Sequence, residues 1–426
     1  MRIYLYKLFK PEGFLVVLFA FYGLAFLDNP LNWWASANID GRYFYVYAAF
    51  ALCFLVGVYG VRFAQQGQAS DWAVAARQVG CEEGEGQSGL TRQEIQVLLS
   101  VYSLSIFLTL ANNFKRGGFA IFSTDRNLFR ALTATFGGYV VYPADLITPL
   151  MTLAIYQYHK SKKLMWLWFA LASILLQVLQ LNRQEVLVAV LTAAITLNYF
   201  RRVRPSSVVI GGIAGALALT IVLGVLAIFR VGSSAQFSTN IPVYELPIWV
   251  TLGDMSGAVR FAHYIADLVG PGGLNGQYTW GMFISVFIPH FNNHGAAYIM
   301  NTFTSDLTAQ SIGAPISYFA DNGMWMVCAL GAVQGAMAEY FYGKAKQTQS
   351  LFYCMAYVSN YLDLLFAIRA GTVNFMPESL YRLAALAFIL RQTLAKKDIS
   401  SSIFRTAGIL FAVSLLVSLA ALALRV

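Results

Sequence analysis

The segment between residues 230 and 322 lies between two strongly apolar runs and contains ten ionisable side chains of Asp, Glu, Arg and His, with three of the four histidines among them. This segment contains His290 and His294, four residues apart, and Asp321. Because the pKa of histidine is near neutral, its imidazole can accept the proton of a sugar hydroxyl group. We therefore select His294 and His290 as candidate general bases, with Asp321 in reserve. Capping of a turn after Pro289 is an equally good interpretation of either histidine alone.

Arginines at the ends of apolar segments form the second candidate group. A guanidinium is a planar donor that binds phosphate oxygens in a bidentate geometry, whereas a lysine acts as a point charge. As a set, these arginines predict a ligand that carries phosphate. The arginines that we select are Arg183, Arg230 and Arg260, with Arg126 and Arg130 as secondary candidates.

Each of these arginines also has a structural interpretation. A single arginine near the end of a span can extend to the lipid headgroups, and Arg183 could instead pair with Glu185 or Asp145. Arg126 and Arg130 share a helical face, so they could also belong to an interfacial amphipathic helix. Metal binding is not predicted, because the two paired histidines lack further ligands and no HExxH pattern is present.

Composition indicates the class of protein. Hydrophobic residues make up 58% of the 426 residues and charged residues 12%, with a mean hydropathy of +0.59. One water-soluble core could not bury this much apolar surface, so we predict an all-α polytopic membrane protein. The first apolar run lacks a small-residue cleavage site and is interpreted as a span. Membrane lipid is an expected partner and nucleic acid is not.

Hydropathy predicts about eleven transmembrane helices. They lie at residues 14–30, 43–62, 95–111, 138–158, 164–181, 185–200, 207–229, 323–342, 351–368, 380–394 and 404–424. A cytoplasmic N-terminus places most of the 29 lysines and arginines in the cytoplasm, in agreement with the positive-inside rule. Nearly every cation on the opposite side is an arginine, Arg42 and Arg369 among them.

The chain divides into three predicted parts. They are an N-terminal transmembrane bundle at residues 1–229 with a flexible cytoplasmic loop at 65–94, a long extracytoplasmic segment at 230–322, and C-terminal transmembrane helices at 323–426. Prolines and glycines divide the long segment into helical pieces, at 246–269 and 280–303. We predict that these pieces are outer-surface or re-entrant helices buried in protein, because irregular backbone at membrane depth needs such surroundings.

One junction resembles a known family. The segment from Gly313 to Trp325 leads directly into a span that contains Gly331 and Gly335 and ends at Tyr342. This junction resembles that of the bacterial oligosaccharide repeat-unit polymerases, the Wzy-type O-antigen and exopolysaccharide polymerases. The run Asn182-Arg183-Gln184 before an apolar span is similar to the inter-span arginine of that family, and the long outer segment has its usual late position.

The resemblance implies a GT-C-like membrane glycosyltransferase that uses no nucleotide sugar, no cofactor and no obligatory metal. Such an enzyme transfers a growing glycan from undecaprenyl diphosphate to a new lipid-linked repeat unit, on the periplasmic face of the bacterial inner membrane. The selected arginines would bind the donor diphosphate, and Trp249, Trp280 and Tyr298 would offer flat faces for sugars. The implied partners are lipid-linked donor and acceptor glycans, with a chain-length-regulating copolymerase as a further candidate.

Two other functions remain open. An O-antigen ligase has a similar span count and outer loop, but it transfers finished glycan to a lipid-A core acceptor. A secondary transporter would also be polytopic, and it should show an internal repeat and ionisable residues at the membrane midplane. No repeat is visible, and the clear charges lie at span ends apart from Glu339 and Asp363. The polymerase is therefore the favoured interpretation.

Overall fold

The structure, a computed structural model, confirms the all-α class. It describes residues 3–26, 41–78, 92–115, 117–123, 144, 146–180, 183–231, 241–242, 244–278, 312–348 and 350–370. These residues are almost entirely helical. The strands within them are β1 (Ile3–Tyr4) and β2 (Arg202–Val203), which pair antiparallel with Ile3 opposite Val203.

The helices follow the apolar segments of the sequence. In chain order they are α1 (Gly13–Leu24), α2 (Phe44–Gln78), α3 (Arg92–Lys115), α4 (Ile147–Ser161), α5 (Leu164–Leu179), α6 (Arg183–Asn198), α7 (Pro205–Val231), α8 (Leu246–Val269), α9 (Ile316–Asn322), α10 (Met324–Thr348) and α11 (Leu351–Ala370). Short 3₁₀ turns occur at Leu5–Lys7 and Ala120–Phe122.

Every predicted span between residues 14 and 368 overlaps one of these helices. Within the described residues, two stretches are long and apolar enough to cross a membrane, Phe44–Gln65 in α2 and Leu351–Arg369 in α11. Shorter apolar helices are Gly13–Leu24, Leu164–Leu179 and Glu185–Asn198. The prediction of about eleven spans is therefore not confirmed, and its last two members, 380–394 and 404–424, lie outside the described residues.

Helices α2 and α10 form the most extensive helix pair in the described part of the chain. The pair is parallel, because Phe50 adjoins Gly331 and Phe54 adjoins Gly335 four residues further along both helices. The backbones approach so closely that a Cβ atom added to Gly335 would lie 2.1 Å from the carbonyl oxygen of Phe54. Small residues spaced four apart permit this packing between apolar helices.

One end of the bundle is held together by charge and by the β1–β2 pair. Arg62, near the end of the apolar part of α2, contacts Glu339 of α10 and Glu12 just before α1. We call this region the Arg62 end. The segments that the sequence predicts to be cytoplasmic, among them β1 and the loop before α7, meet here.

The opposite end gathers segments predicted to lie outside the cytoplasm, and we call it the Arg42 end. Asp267 of α8 meets Arg42 there, just before α2 begins. Gly313 packs on the end of α11, where an added Cβ would lie 2.3 Å from the carbonyl oxygen of Ile368. Along α2 the two ends are about 20 residues apart, which corresponds to roughly 30 Å of helix.

Helix α8 (Leu246–Val269) has the bounds that the sequence predicts for the first helical piece of the long segment. Pro247 lies in its first turn, where a missing N–H costs nothing. The C-terminal half buries Ala258, Phe261, Ala262 and Ile265 against its neighbours, which include α1, α7 and α9. It is thus packed within the protein, and its outer-surface or re-entrant position stays a prediction.

Candidate functional site

The Arg42 end contains a cluster of charged and polar side chains from α8 and the start of α2. We call Arg42, Tyr43 and Asp267 the Asp267 cluster. The Arg42 Nη2 atom lies 3.2 Å from Asp267 Oδ2, and the Tyr43 hydroxyl donates to Asp267 Oδ1 at 2.6 Å. One carboxylate therefore orients both a guanidinium and a phenol.

Helical spacing brings two further side chains to the same region. Arg260, His263 and Asp267 lie three and four residues apart, so they share one face of α8. The Arg260 Nε atom donates to the carbonyl oxygen of Ala25 at 2.9 Å. This carbonyl lies just beyond the C-terminus of α1, where backbone acceptors need partners and a cation is stabilised by the helix dipole.

His263 is fully buried among aromatic rings. Its ring centroid lies 4.9 Å from that of Tyr43 in an edge-to-face arrangement, and the rings of Tyr22 and Tyr47 lie 6.1 and 6.3 Å away. Aromatic pairs at such distances add to the energy of burial. His263 thus connects α8 to α1 and α2, and it contacts the Tyr43 ring of the Asp267 cluster.

Arg42 is the accessible member of the cluster. Its side chain is 58% exposed, while that of Asp267 is 34% exposed. A guanidinium held by a neighbouring carboxylate at an exposed position can receive an anion without first being ordered. Arg42 is therefore the member of the Asp267 cluster that an anion approaching from solvent would contact.

Asp321 occupies a different environment, in the short helix α9. Its carboxylate is fully buried and accepts hydrogen bonds from the backbone N–H of Tyr278 at 2.9 Å and from the side-chain amide of Asn322 at 3.1 Å. In addition, Gly272, Leu274 and Gly276 donate their backbone N–H groups to the carbonyls of Phe319, Ala320 and Asp321. These contacts fasten the turns after α8 onto α9.

The turns at Gly272 and Gly276 require glycine, because both residues have φ values near +75°. The phenol of Tyr278 points to the carbonyl of Ile312 at 3.4 Å. Burial, followed by the nearby Tyr318 and Asp321, raises the pKa of Tyr278 above its usual range, so the phenol stays protonated. These contacts give Asp321 a structural role, and its role as a reserve base stays a prediction.

The structure places the remaining selected residues as follows. Arg183 is the first residue of α6 and Arg230 lies in the last turn of α7, while their side chains fall outside the described part. Trp249 donates its Nε1–H to Glu245 at 3.2 Å. It is about 18 residues before Asp267 on α8, so roughly 27 Å separates them along the helix. The selected residues outside the described ranges are Arg126, Arg130, Trp280, His290, His294 and Tyr298.

Sequence reasoning selected Arg260 and counted Arg42 among the outer arginines, but it assigned no role to Tyr43, His263 or Asp267. The spacing of Arg260, His263 and Asp267 along α8 was a usable signal, because polar residues on one face of an otherwise apolar helix indicate a functional or paired surface. Nothing local connects this face to Arg42, which is 225 residues away in the chain.

A second charged group lies at the Arg62 end. Arg62 donates from Nε and Nη2 to the two carboxylate oxygens of Glu339 at 3.0 and 2.8 Å, and Nη2 also lies 2.8 Å from Glu12. The Glu339 side chain is only 5% exposed. A buried carboxylate with such a bidentate partner is satisfied as a structural ion pair.

Within the residues that the structure describes, no group of three or more His, Cys, Asp or Glu side chains could hold a metal ion. Neither a protein-family model, nor a curated protein, nor a solved structure matches this chain. Function is therefore argued from the residues themselves.

Proposed function

We propose that this protein is a GT-C-like polysaccharide polymerase with about eleven membrane spans in the bacterial inner membrane. It would transfer a glycan from undecaprenyl diphosphate to the non-reducing end of a new lipid-linked repeat unit, on the periplasmic face. The observation that carries the proposal is the Asp267 cluster. It joins an exposed arginine to a helix that also bears Arg260, at the end of an apolar bundle.

In this proposal, Arg42 and Arg260 bind the donor diphosphate together with Arg183 and Arg230. Asp267 and Tyr43 hold the Arg42 guanidinium in place before substrate arrives. Donors that are ordered in advance stabilise charge as it develops in the transition state. Here that charge develops on the diphosphate leaving group as its bond to the sugar breaks.

The acceptor sugar supplies the nucleophile. Its hydroxyl oxygen forms the new bond to the anomeric carbon of the donor, and its proton passes to a base, for which His294 and His290 remain the candidates and Asp321 the reserve. The diphosphate leaves on its undecaprenyl carrier. No nucleotide sugar enters this reaction, and no step in it calls for a metal ion.

The test is turnover by the purified protein in detergent, with its lipid-linked repeat unit and without nucleotide sugar. A ladder of regularly spaced products on a gel supports the polymerase. If product forms only when a second, different lipid acceptor is added, the protein is a ligase. If neither condition gives product, the proposal is wrong and transport becomes the better interpretation.

Two variants test the site within that assay. A hydrogen bond to a charged group contributes about 1.5–3 kcal/mol, so Arg42→Gln and Arg260→Gln should each lower the rate about 10- to 100-fold. Arg201→Gln is the matched control, since Arg201 is an exposed arginine at the Arg62 end. Full product length and rate in the Arg42→Gln variant would remove the Asp267 cluster from the mechanism, and the same result in Arg260→Gln would remove Arg260. The same result for Arg183→Ala and Arg230→Ala would remove those two arginines.

A further inference from the structure

Two cysteines lie near each other across the α2–α10 pair. Cys53 of α2 lies against the turn of α10 between Cys328 and Gly331, and neither cysteine is fully buried. Cys354, by contrast, is a buried cysteine on α11. None of these residues contributes to the Asp267 cluster or to the proposed transfer reaction.

The glycines of the helix pair bring the backbones of α2 and α10 close together beside these cysteines. Gly331 lies one turn after Cys328, and a Cβ added to it would be 3.3 Å from the Cβ of Cys53 and 2.9 Å from the carbonyl oxygen of Phe50. A disulfide requires Cα atoms about 4.4–6.8 Å apart. Helices packed at the usual interaxial distance of about 8–10 Å seldom meet this requirement, whereas glycines at the contact let two helix backbones approach more closely.

The apolar surroundings of Cys53 and Cys328 indicate which kind of oxidant can reach them. Cys53 lies about nine residues into α2, roughly 14 Å from its start, and Cys328 about four residues into α10, roughly 6 Å from its start. Leu52 and Val56 beside Cys53 are 65% and 68% exposed. An apolar surface of this kind admits a lipid-soluble molecule more readily than a charged, water-soluble one.

We propose that Cys53 and Cys328 form a reversible interhelical disulfide, a modification site for a lipid-soluble oxidant of the quinone class. The two thiols lose two electrons and two protons as the sulfur–sulfur bond forms, and the quinone gains both to become a hydroquinone. The bond joins α2, which begins two residues after Arg42, to α10, which follows α9. Oxidation therefore fixes the relative position of these helices near the Arg42 end.

The experiment uses the full chain in membranes, in a Cys81→Ser, Cys354→Ser background that retains only the two thiols of interest. Membranes are treated with a short-chain ubiquinone or with copper phenanthroline. The protein is then denatured and labelled with a polymer-linked maleimide that shifts its mobility on a gel. The proposal expects two labels before oxidation, none afterwards, and two again after dithiothreitol, with a cross-linked peptide in the mass spectrum.

Matched variants separate a specific disulfide from general thiol damage. In the same background, C53S and C328S each retain a single thiol, which should still take one label after oxidation. A chain that keeps Cys53 and Cys354 but carries C328S and C81S should retain two labels. Two labels on the Cys53/Cys328 chain after both oxidants, or equal loss of labels in the Cys53/Cys354 chain, would overturn the proposal. The readout is independent of polymerase activity.

Discussion

Replacing Gly57 with alanine should force apart the helix pair on which the bundle is built. A Cβ at this position would lie 2.0 Å from the carbonyl oxygen of Ala332, where ordinary van der Waals contact begins at 3.4 Å. The shortfall is about 1.4 Å, and the opposing atom belongs to the backbone, which cannot rotate away. Helix α2 must therefore move as a unit relative to α10.

The size of the effect follows from comparison with Gly60, one turn further along α2. A Cβ at Gly60 meets nothing within 4 Å. Both substitutions gain about 1 kcal/mol of helix propensity, so that gain cancels when the two variants are compared. Overpacking typically costs about 1–3 kcal/mol, and a gap of about 0.5–1 Å already loses a quarter to a half of the dispersion energy of the atoms concerned. We expect a difference of about 3 kcal/mol.

The assay is thermal unfolding of the purified variants in detergent, followed by the loss of the monodisperse peak in size-exclusion chromatography. Gly57→Ala should unfold at least about 5 °C below Gly60→Ala. Gly60→Ala should match or exceed the parent protein. Equal Tm values for the two alanine variants would refute the close parallel packing of α2 and α10.

Three further predictions concern charged groups. Arg62→Met leaves the Glu339 carboxylate buried without its guanidinium. Because Arg62 is 31% exposed, we expect the free energy of unfolding to fall by an amount near the lower end of the range for broken buried pairs, about 3 kcal/mol. Adding Glu339→Gln to this variant should restore most of the Tm. Asp321→Ala leaves the N–H of Tyr278 without its acceptor and should lower the free energy of unfolding by about 1–3 kcal/mol. Asp321→Asn keeps an oxygen at this position, so it should unfold at a higher Tm than Asp321→Ala. Loss of turnover in a fully stable Asp321→Asn variant would instead establish Asp321 as the base. Partial desolvation and neighbouring cations lower the pKa of His159, so its NMR titration should have a midpoint below 6.5. The folded state therefore favours neutral His159. The stability that this preference contributes should be lost as the pH falls below the pKa of the unfolded state. A His159 midpoint at or above 6.5 would contradict this environment.

The first and last residues of α8 could be predicted from the local sequence. Pro247 at its start and Gly270 at its end, which adopts a φ of +72°, are local signals with a known physical cause. They predicted both ends of the helix. Its neighbours could not be predicted in this way, because α1, α2 and α9 are distant in sequence and are brought to α8 only by packing.

The residues of the candidate site also divide into those that local sequence could identify and those that depend on distant segments. Arg260 was selected because arginine on an apolar background is unusual, which is a local property. Its contact with Ala25 and the presence of Arg42 beside Asp267 depend on segments more than 200 residues away. The proximity of Cys53 to Cys328 is of the same kind, since it arises where two glycine-bearing helices meet.

The sequence by itself determined the helical class, the apolar character and the positions of most helices, because periodicity, caps and composition act over a few neighbouring residues. Only the tertiary structure decided which charges are paired. Glu339 looked like an isolated charge within a span, and it proved to be neutralised by Arg62, 277 residues earlier. Such a pair forms because the folded bundle removes the carboxylate from water and places a guanidinium beside it, and neither condition can be read from either segment alone.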